Sequence, residues 1–253
     1  MTKKFITGLG LSLAIFGFST ALPLVDGEIS VGYMQQKPNG WLQYKGDTVD
    51  LKKDLGFDDE NKGFVKAKLE LPIPLIPNIY LQYIPMDFKG DRNTTFRFDG
   101  KTFTGNVHSE VTLDHYDIGL YYNVPMISAM TSNVFDAEVG LIVRVIDFEA
   151  KVSDGNKSSK TDFTAPIPML YAGLTINPFD FLSIVGEAKG ITYNDNYYYD
   201  FSGELRFKFI NAVVFKPFIS LGYKIERLRI DDIDNTYGDI RIEQPYVSFG
   251  INF

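Results

Sequence analysis

Strict alternation of apolar and polar side chains between Tyr199 and Phe209 constrains the fold of this chain more than any other feature. The odd-numbered positions carry Tyr, Phe, Leu or Gly, and the even-numbered positions carry Asp, Ser, Glu, Arg or Lys. A period of two residues is the period of a β-strand. Strands of soluble proteins are usually about 5–6 residues long, whereas about 9–11 residues cross a bilayer as a tilted strand. The 11-residue segment therefore predicts a strand with one face in lipid.

The same alternation recurs along the chain, whereas the apolar residues show almost no helical periodicity. The further segments are 29–33, 65–71, 79–83, 116–122, 137–145, 170–176, 182–188, 217–225 and 246–253. We therefore predict an all-β fold, a transmembrane antiparallel up-and-down β-barrel of about ten strands. Eight or twelve strands remain open, because long hairpins are easily miscounted. An even strand number returns both ends of the chain to the same side of the membrane.

The two ends of the chain agree with this prediction. A basic Met1–Lys4 segment, an apolar run over Phe5–Phe18 and small residues up to Ala21 are typical of a secretory signal cleaved after Ala21. We expect residues 1–21 to be that signal and residues 22–253 to form one barrel domain. The apolar residues of the last strand resemble the C-terminal assembly signal of bacterial outer-membrane barrels. They are Val247, Phe249, Ile251 and Phe253.

Composition narrows the function classes. The chain contains no Cys, so an exported fold must be stable without disulfides. Its aromatic content of 15% suits strands with one apolar and one wet face. A net charge of −7 with no basic stripe argues against nucleic-acid binding. We expect the cell outer membrane as the location. The expected partners are outer-membrane lipid and lipopolysaccharide, the barrel-assembly machinery and periplasmic chaperones, with a small-molecule solute as a further candidate.

The polar face of the strands predicts a charged lumen. The expected inward residues are Lys66, Lys68, Glu70, Asp136, Glu138, Arg144, Glu187, Lys189, Glu204, Arg206, Lys208, Lys224 and Glu226. Barrels of about eight strands are filled by side chains, and buried charges must be paired. The favoured interpretation is an ion-paired plug that largely fills the lumen. A thin polar conduit for small or amphipathic solutes, a porin-like role, is the alternative.

Several loops invite a functional interpretation. Val49–Gly56 predicts one or two helical turns, whose Leu51 and Leu55 either pack on the barrel rim or form a lid. An Asp-Gly hairpin around Asp99 carries Phe96, Phe98 and Phe103. We expect these side chains to pack on a neighbouring loop, and contact with a partner or with lipopolysaccharide is the alternative. Acidic clusters occur at 58–60 and 231–234, without the spacing of a calcium loop. Asn93 and Asn156 lie in patterns similar to a bacterial glycosylation acceptor.

The alternation changes phase at two places. Val111 and Leu113 are odd-numbered, whereas Tyr116–Tyr122 place their apolar residues at even numbers. A similar change separates Ile225 from Leu228. We predict β-bulges near 114–115 and 226–227. The alternative is that the outward face is no longer apolar beyond the bilayer.

Catalysis by this chain is not expected. The sequence contains only two His residues, His108 and His115. His108 and Ser109 are adjacent in a strand and so face opposite sides. His115 lies beside Asp114 with no nucleophile in view. We predict no catalytic residue, cofactor or metal site, and an outer-membrane lipid-modifying enzyme or protease is the least favoured alternative.

Local strings extend the resemblance to bacterial outer-membrane β-barrels. They are Val49–Gly56, Ala165–Met169, Glu204–Phe207, Gly222–Lys224 and Gln244–Tyr246. These strings are similar to those of a family of uncharacterised small outer-membrane barrels of about this size. The resemblance implies the fold and the membrane location, and it implies no activity. We therefore expect a non-enzymatic barrel with an envelope-structural or surface-interaction role.

Overall fold

A computed structural model describes residues 25–73, 75–124, 127–132, 134–209, 215–233 and 235–253. The predicted signal peptide lies outside these residues. The strands are β1 (Asp26–Tyr44), β2 (Thr48–Asp50), β3 (Glu60–Glu70), β4 (Asn78–Ile84), β5 (Asp87–Phe98), β6 (Lys101–Asn123), β7 (Phe135–Ser153), β8 (Ser158–Phe179), β9 (Leu182–Tyr193), β10 (Asn196–Lys208), β11 (Lys216–Ile233) and β12 (Thr236–Asn252). One short helix, α1 (Ile127–Met130), follows β6. Within the described part of the chain, no helix has both the length and the apolar character needed to cross a bilayer.

The strands close into an antiparallel barrel of the predicted kind. Sequential neighbours pair around the sheet, and β12 pairs with β1 from Glu28↔Asn252 to Tyr44↔Thr236. β4 and β5 both pair with β6, in one continuous register, and so form a single long wall strand. Among the strands that the structure describes, the small β2 pairs only with β1. The barrel wall therefore has ten strands, which confirms the predicted fold and strand number.

The outer surface of the barrel carries an apolar band between two aromatic belts. Exposed aliphatic residues such as Ile118, Leu141 and Leu170 occupy the middle of the wall. Exposed Tyr and Phe residues flank them on both sides, and they include Tyr33, Tyr116, Tyr122, Phe135, Phe179, Phe201, Phe209 and Tyr223. Such belts mark the two interfaces of a bilayer. The apolar band is therefore the segment that spans the membrane.

The connections differ between the two ends of the barrel. The end that holds Asp26 and Asn252, here called the terminal end, carries short connections such as the one between β8 and β9. At the opposite end, here called the hairpin end, β5 to β8 extend far beyond the apolar band as two long hairpins. The wall is lower at β9 and β10, which join through the turn between Tyr193 and Asn196. The short connections thus lie at one end of the barrel and the long hairpins at the other.

The first strand is longer than the sequence predicted. Residues 37–44 lie outside the predicted alternating segment 29–33, but they continue β1 in pairing with β12, from Lys37↔Glu243 to Tyr44↔Thr236. The alternation of apolar and polar residues does not extend over these positions, because this part of the wall lies beyond the apolar band and its outward side chains contact water.

The predicted β-bulges are wrong. The register between β6 and β7 is uninterrupted from His108↔Ser153 to Asn123↔Glu138. The pairing of β10 with β11 is also continuous, and the irregularity in the β11–β12 pair lies between Ile230 and Ile233. The same face stays inside over the whole strand, and its polarity inverts above the bilayer. The alternative stated for the phase change is therefore the correct one.

A charge in the apolar band tests the membrane-spanning assignment. Leu141 lies mid-wall with 63% of its surface exposed. We expect Leu141→Arg to lower the free energy of unfolding by about 2–4 kcal/mol in phosphatidylcholine vesicles, because the guanidinium enters hydrocarbon. Equilibrium unfolding in increasing concentrations of guanidinium chloride measures this free energy. Thr164→Arg, an outward position of β8 above the band, is the matched control and should change little. Equal effects of the two substitutions would contradict the assignment.

Candidate functional site

The lumen is filled at mid-height by a charge network centred on Arg144. This side chain projects inward from β7 and is 0% exposed. Its Nε and Nη2 donate to the two carboxylate oxygens of Asp117 at 2.7 and 2.8 Å. It also donates to Asp200 and, at 3.2 Å, to Glu226. One guanidinium thus links carboxylates from three different strands, which is the geometry that its planar donor fork favours.

Two lysines complete this layer. Lys189 Nζ donates to Asp117 at 2.8 Å and to Gln82 at 2.7 Å. Lys224 Nζ lies 3.2 Å from Asp200 and 3.4 Å from Glu226. Three cations thereby face three carboxylates, all of them buried. The layer is electrically neutral, and its pairing offsets the desolvation of each charge.

A second layer lies nearer the terminal end and is centred on Glu187. Its carboxylate lies 3.4 Å from Lys66 Nζ and 3.1 Å from Lys68 Nζ. Lys68 also pairs with Glu138 at 2.7 Å. Tyr80 and Tyr171 donate hydroxyl hydrogen bonds to Glu187 at 3.3 and 3.4 Å. These contacts join strands on opposite sides of the lumen and close it laterally.

The Arg206 guanidinium forms the remainder of this layer. Its Nη1 and Nη2 donate to Glu28 at 2.7 and 3.1 Å, and Nη2 donates to Glu204 at 2.5 Å. Glu204 also accepts a hydrogen bond from Tyr246 at 3.1 Å. The guanidinium carbon lies 4.1 Å from the centre of the Phe218 ring. Arg206 therefore fixes β10 against the first strand of the barrel.

The structure brings ten of the thirteen predicted lumen residues into these two layers. Glu70, Asp136 and Lys208 instead line a cavity at the terminal end. Sequence reasoning missed Glu28, Asp117 and Asp200. Asp117 and Asp200 alternate with apolar residues and could have been included on that signal. Glu28 precedes the predicted start of the first strand.

At the hairpin end, the lumen is filled by apolar side chains instead of charges. The segment between β1 and β3 folds into the mouth and is here called the plug segment (residues 45–59). Its Val49, Leu51, Leu55 and Phe57 are buried against the inner faces of β5, β6, β7 and β12. These four residues and the wall residues that they contact together form one apolar cluster, here called the apolar plug. Its wall residues are Leu42, Met86, Phe88, Phe96, Phe98, Phe103, Val107, Val152 and Ile242.

Local sequence explains how the plug segment enters the mouth. The Asp50 carbonyl accepts a hydrogen bond from Asp54 N at 3.0 Å, and the Asp50 carboxylate caps Lys52 N and Lys53 N at 3.0 and 2.8 Å. This single turn places Leu51 and Leu55 on one side. A Cβ at Gly90 would lie 2.2 Å from the Leu55 carbonyl oxygen. Glycine at this position of β5 is therefore what permits the close approach of the plug segment.

The predicted loop aromatics behave as expected. Phe96 and Phe103 contact each other across the β5–β6 hairpin with ring centres 6.2 Å apart, and Phe98 packs against Tyr44 at 5.7 Å. All three phenylalanines are buried in the apolar plug. They pack against the plug segment and the neighbouring wall strands.

A cavity of about 720 Å³ opens at the terminal end, below the Glu187 layer. Its lining includes Asp26, Glu70, Asp136, Lys208 and Lys216. A void of about 20 Å³, which is the size of about one water molecule, lies between the two charge layers. The cavity therefore ends at the charge layers and does not continue to the hairpin end as an open channel.

The two histidines lie apart, and each has carboxylate neighbours. His108 Nδ1 lies on the outer wall, 2.9 Å from Asp91, and its Nε2 is 3.6 Å from Glu110. Hydrogen bonds from Lys89 and then Lys151 lower the pKa of Glu110 to about 2, so this carboxylate stays ionised. His115 is 1% exposed inside the barrel, and its Nε2 lies 4.0 Å from Glu226.

The described residues give little support to a nucleophilic catalytic site or to a metal-binding site. Neither histidine there hydrogen-bonds a hydroxyl group. In the same part of the chain, no group of three or more His, Asp or Glu side chains is arranged to hold a metal ion. The acidic cluster at 58–60 uses Asp59 to pair with Lys52 at 3.0 Å. Asp234 of the second cluster lies outside the described residues.

The closed pairing, the apolar band and the aromatic belts define a transmembrane β-barrel with the fold of small outer-membrane barrels. No protein-family model matches the sequence, and no curated protein matches it. The similar solved structures include outer-membrane protease OmpT from Escherichia coli, with 9% identity, a TM-score of 0.45 and coverage of 90% of this chain and 96% of that chain.

Two further similar structures are those of Ail and of Neisserial surface protein A. Ail, the attachment invasion locus protein of Yersinia pestis, in complex with the heparin analogue sucrose octasulfate, is 11% identical, with a TM-score of 0.40 and coverage of 89% and 98% of the two chains. Neisserial surface protein A is 10% identical, with a TM-score of 0.35 and coverage of 90% and 97%. Because these TM-scores are below 0.5, the barrel class rests on the strand pairing and surface described above.

Removing the central guanidinium tests the energetic role of the network. We expect Arg144→Met to lower the free energy of unfolding by about 3–5 kcal/mol, because buried carboxylates lose their main partner. The double variant Arg144→Met with Asp117→Asn should recover part of this loss, since it removes one uncompensated charge. Unfolding titrations in detergent micelles measure both. The exposed Arg241→Met is the control, with an expected change of about 0.5 kcal/mol or less. An equally small effect of Arg144→Met would contradict the network's role.

Proposed function

We propose that this chain is a sealed outer-membrane barrel that neither conducts solutes nor catalyses a reaction, and that it serves envelope integrity or surface interaction. The observation that carries the proposal is the presence of two seals in one lumen. The charge layers around Arg144 and Glu187 close the membrane-spanning part, and the apolar plug closes the part above it.

The charge layers form an effective seal because every partner is a wall side chain. An ion that crossed the Arg144 layer would have to displace carboxylates already held by a guanidinium and two ammonium groups. The displaced charges would lose their partners in a poorly hydrated space, at a cost of several kcal/mol. Side-chain filling of this kind is typical of narrow barrels.

The orientation of the barrel follows from its connections. In outer-membrane barrels the short turns face the periplasm and the long hairpins face outside. We therefore place the terminal end in the periplasm and the hairpin end at the cell surface. Lipid, lipopolysaccharide, the barrel-assembly machinery and periplasmic chaperones are the proposed partners. Val247, Phe249 and Ile251 lie on the lipid-facing side of β12, where an assembly signal would be accessible before closure.

A narrow channel is the second candidate function. The cavity of about 720 Å³ at the terminal end and the water-sized void between the charge layers favour it. For conduction, both the charge layers and the plug segment would have to move. A catalytic role has less support, since His115 is buried next to Glu226 and His108 lies on the outer wall.

Conductance in planar bilayers separates these functions. We expect the wild-type barrel to show no discrete steps above the empty-bilayer baseline once insertion is verified by its heat-modifiable band on a gel. The physical reason is that both seals remain closed without a ligand. Discrete steps from the wild-type barrel would contradict the sealed-barrel proposal and favour the channel.

A variant without the plug segment shows whether the charge layers alone are sufficient to close the lumen. Replacing residues 48–57 with a short Gly-Ser linker removes the apolar plug segment and leaves the Arg144 layer intact. This variant should also remain at the baseline. Steps that appear only in this variant would identify the plug segment as a lid over a conducting lumen. Replacing the turn residues 154–157 of the β7–β8 hairpin with the same type of linker is the matched control.

A further inference from the structure

The cavity at the terminal end contains charged side chains that are not ion-paired. Asp26, Glu70 and Asp136 line it from β1, β3 and β7, and Lys208 and Lys216 line it from β10 and β11. None of these five side chains makes an ion pair with the described residues. In the two charge layers next to the cavity, by contrast, the lysines and arginines contact carboxylates. The cavity therefore differs in its electrostatics from the sealed part of the lumen.

Two carboxylates of the cavity oppose each other across neighbouring strands. Asp26 of β1 and Glu70 of β3 are directly paired positions in the strand register. Both lie on the inner face, because Glu28 and Lys68, two residues further along each strand, are buried in the lumen. Like charges at directly opposite positions destabilise a sheet. Asp136 of β7 adds a third carboxylate to the lining of the same cavity.

Two lysines lie close together on another part of the cavity wall. Lys208 of β10 pairs with Phe218 of β11, and Lys216 precedes Phe218 by two residues on the same face. The two lysines are therefore diagonal neighbours, a relation in which the residues lie about 7–8 Å apart. Asp136 and Asp180 are the nearby groups of opposite charge that act on Lys208, but neither lies within ion-pair distance of it.

The side chain of Asn177 separates the two kinds of charge. Its Nδ2 donates to Asp136 at 3.3 Å, and its Oδ1 accepts a hydrogen bond from Lys208 Nζ at 3.2 Å. Asp136 and Lys208 are thus held two hydrogen bonds apart instead of forming an ion pair. The lining consequently has a negative part, formed by β1, β3 and β7, and a positive part, formed by β10 and β11.

The cavity has the dimensions of a small-molecule site. Its volume of about 720 Å³ lies within the range of about 300–1,000 Å³ that is typical of such sites. It ends at the Glu187 layer, where Lys66 and Lys68 lie 3.4 and 3.1 Å from the Glu187 carboxylate. A ligand would therefore enter from the terminal end and stop at this layer.

We propose that the terminal-end cavity binds a short zwitterionic peptide. The ammonium group of the peptide lies at Glu70 and Asp136, and its carboxylate lies at Lys208 and Lys216, so that each like-charged pair gains an opposite charge. Charge-assisted hydrogen bonds at both ends supply the affinity. Because Asn177 separates the charges of the wall, the charges of the ligand must also be separated, as they are in a peptide but not in a free amino acid.

This site goes beyond the sealed-barrel proposal, because it needs no conducting lumen. It depends on the proposed orientation only for the compartment from which the peptide comes, which is the periplasm. In detergent micelles both ends of the barrel are accessible, so binding is measured independently of the orientation.

Trialanine is the probe, because both of its ends are charged and its side chains are small. The solubilised wild-type barrel is titrated with trialanine, N-acetyl-trialanine, trialanine amide and free alanine. Saturation-transfer difference NMR measures each dissociation constant, with empty micelles as the background. We expect trialanine to bind most tightly, and loss of either terminal charge to weaken binding by about tenfold. Rising salt should also weaken the binding of trialanine.

Paired substitutions assign each end of the peptide to its part of the wall. Lys208→Gln with Lys216→Gln should lower the affinity for trialanine to that of trialanine amide, and the amide itself should bind this variant and the wild type equally. Glu70→Gln with Asp136→Asn should in the same way remove the difference between trialanine and N-acetyl-trialanine. The heat-modifiable band verifies that both variants are folded.

The matched control changes two lysines that lie outside the lumen. Lys151 and Lys160 pair with Glu149 on the outer wall at the hairpin end. The variant Lys151→Gln with Lys160→Gln removes the same charge as the cavity variant and should bind trialanine as the wild type does. An equal loss of affinity in this control would overturn the assignment of the cavity.

Measurements on the wild type alone can also overturn the site. Equal binding of trialanine, its amide and its N-acetyl form would do so, and so would the lack of saturable binding. Equal binding of free alanine would overturn the peptide assignment, and displacement of trialanine by an equal concentration of sodium acetate would identify a general anion site. None of these results bears on the seal, whereas conductance steps would contradict the sealed barrel and leave the peptide site in place.

Discussion

Closure between the first and last strands is the constraint on which the rest of the structure depends. β1 and β12 pair over the whole height of the wall, and the backbones of Gly27 and Phe253 exchange hydrogen bonds at 2.8 and 2.9 Å. In hydrocarbon an unpaired backbone group has no water to satisfy it, so an open sheet edge is not tolerated. Closure removes the edge, and it also forces the polar side chains of ten strands into one narrow space.

That confinement explains the charge layers. In a narrow lumen the polar face of a strand cannot be fully solvated, so each charge must be paired inside the barrel, in most cases with a side chain of another strand. The Arg206–Glu28 and Lys66–Glu187 contacts are both made across large separations in sequence, 178 and 121 residues respectively. Such contacts oppose any change of strand stagger, because a shift of register would separate several pairs at once. The network therefore specifies the barrel geometry as well as sealing it.

The sequence predicted the strands better than it predicted their partners. Alternation identifies which residues share a face, and this was sufficient for ten strands and for most lumen residues, such as Arg144 and Glu187. It does not fix the stagger of the barrel, so the specific pairs with Asp117, Asp200 and Glu28 could not be derived. Polarity also does not identify the inner face. Leu113 and Leu228 lie on the inner face above the bilayer, and their phase change was therefore mistaken for β-bulges.

The inversion of polarity along the wall divides the barrel into two physical regimes. Within the apolar band, lipid covers the outside and the interior is ionic. Above the band, water contacts the outside, and the hydrophobic effect then favours an apolar interior. The plug segment supplies the side chains that one layer of wall strands could not provide alone, and Leu51 and Leu55 occupy the space that water would otherwise fill. The hairpin end is consequently built like a small soluble domain with its own core. A rigid projection of this kind is compatible with the proposed surface-interaction role.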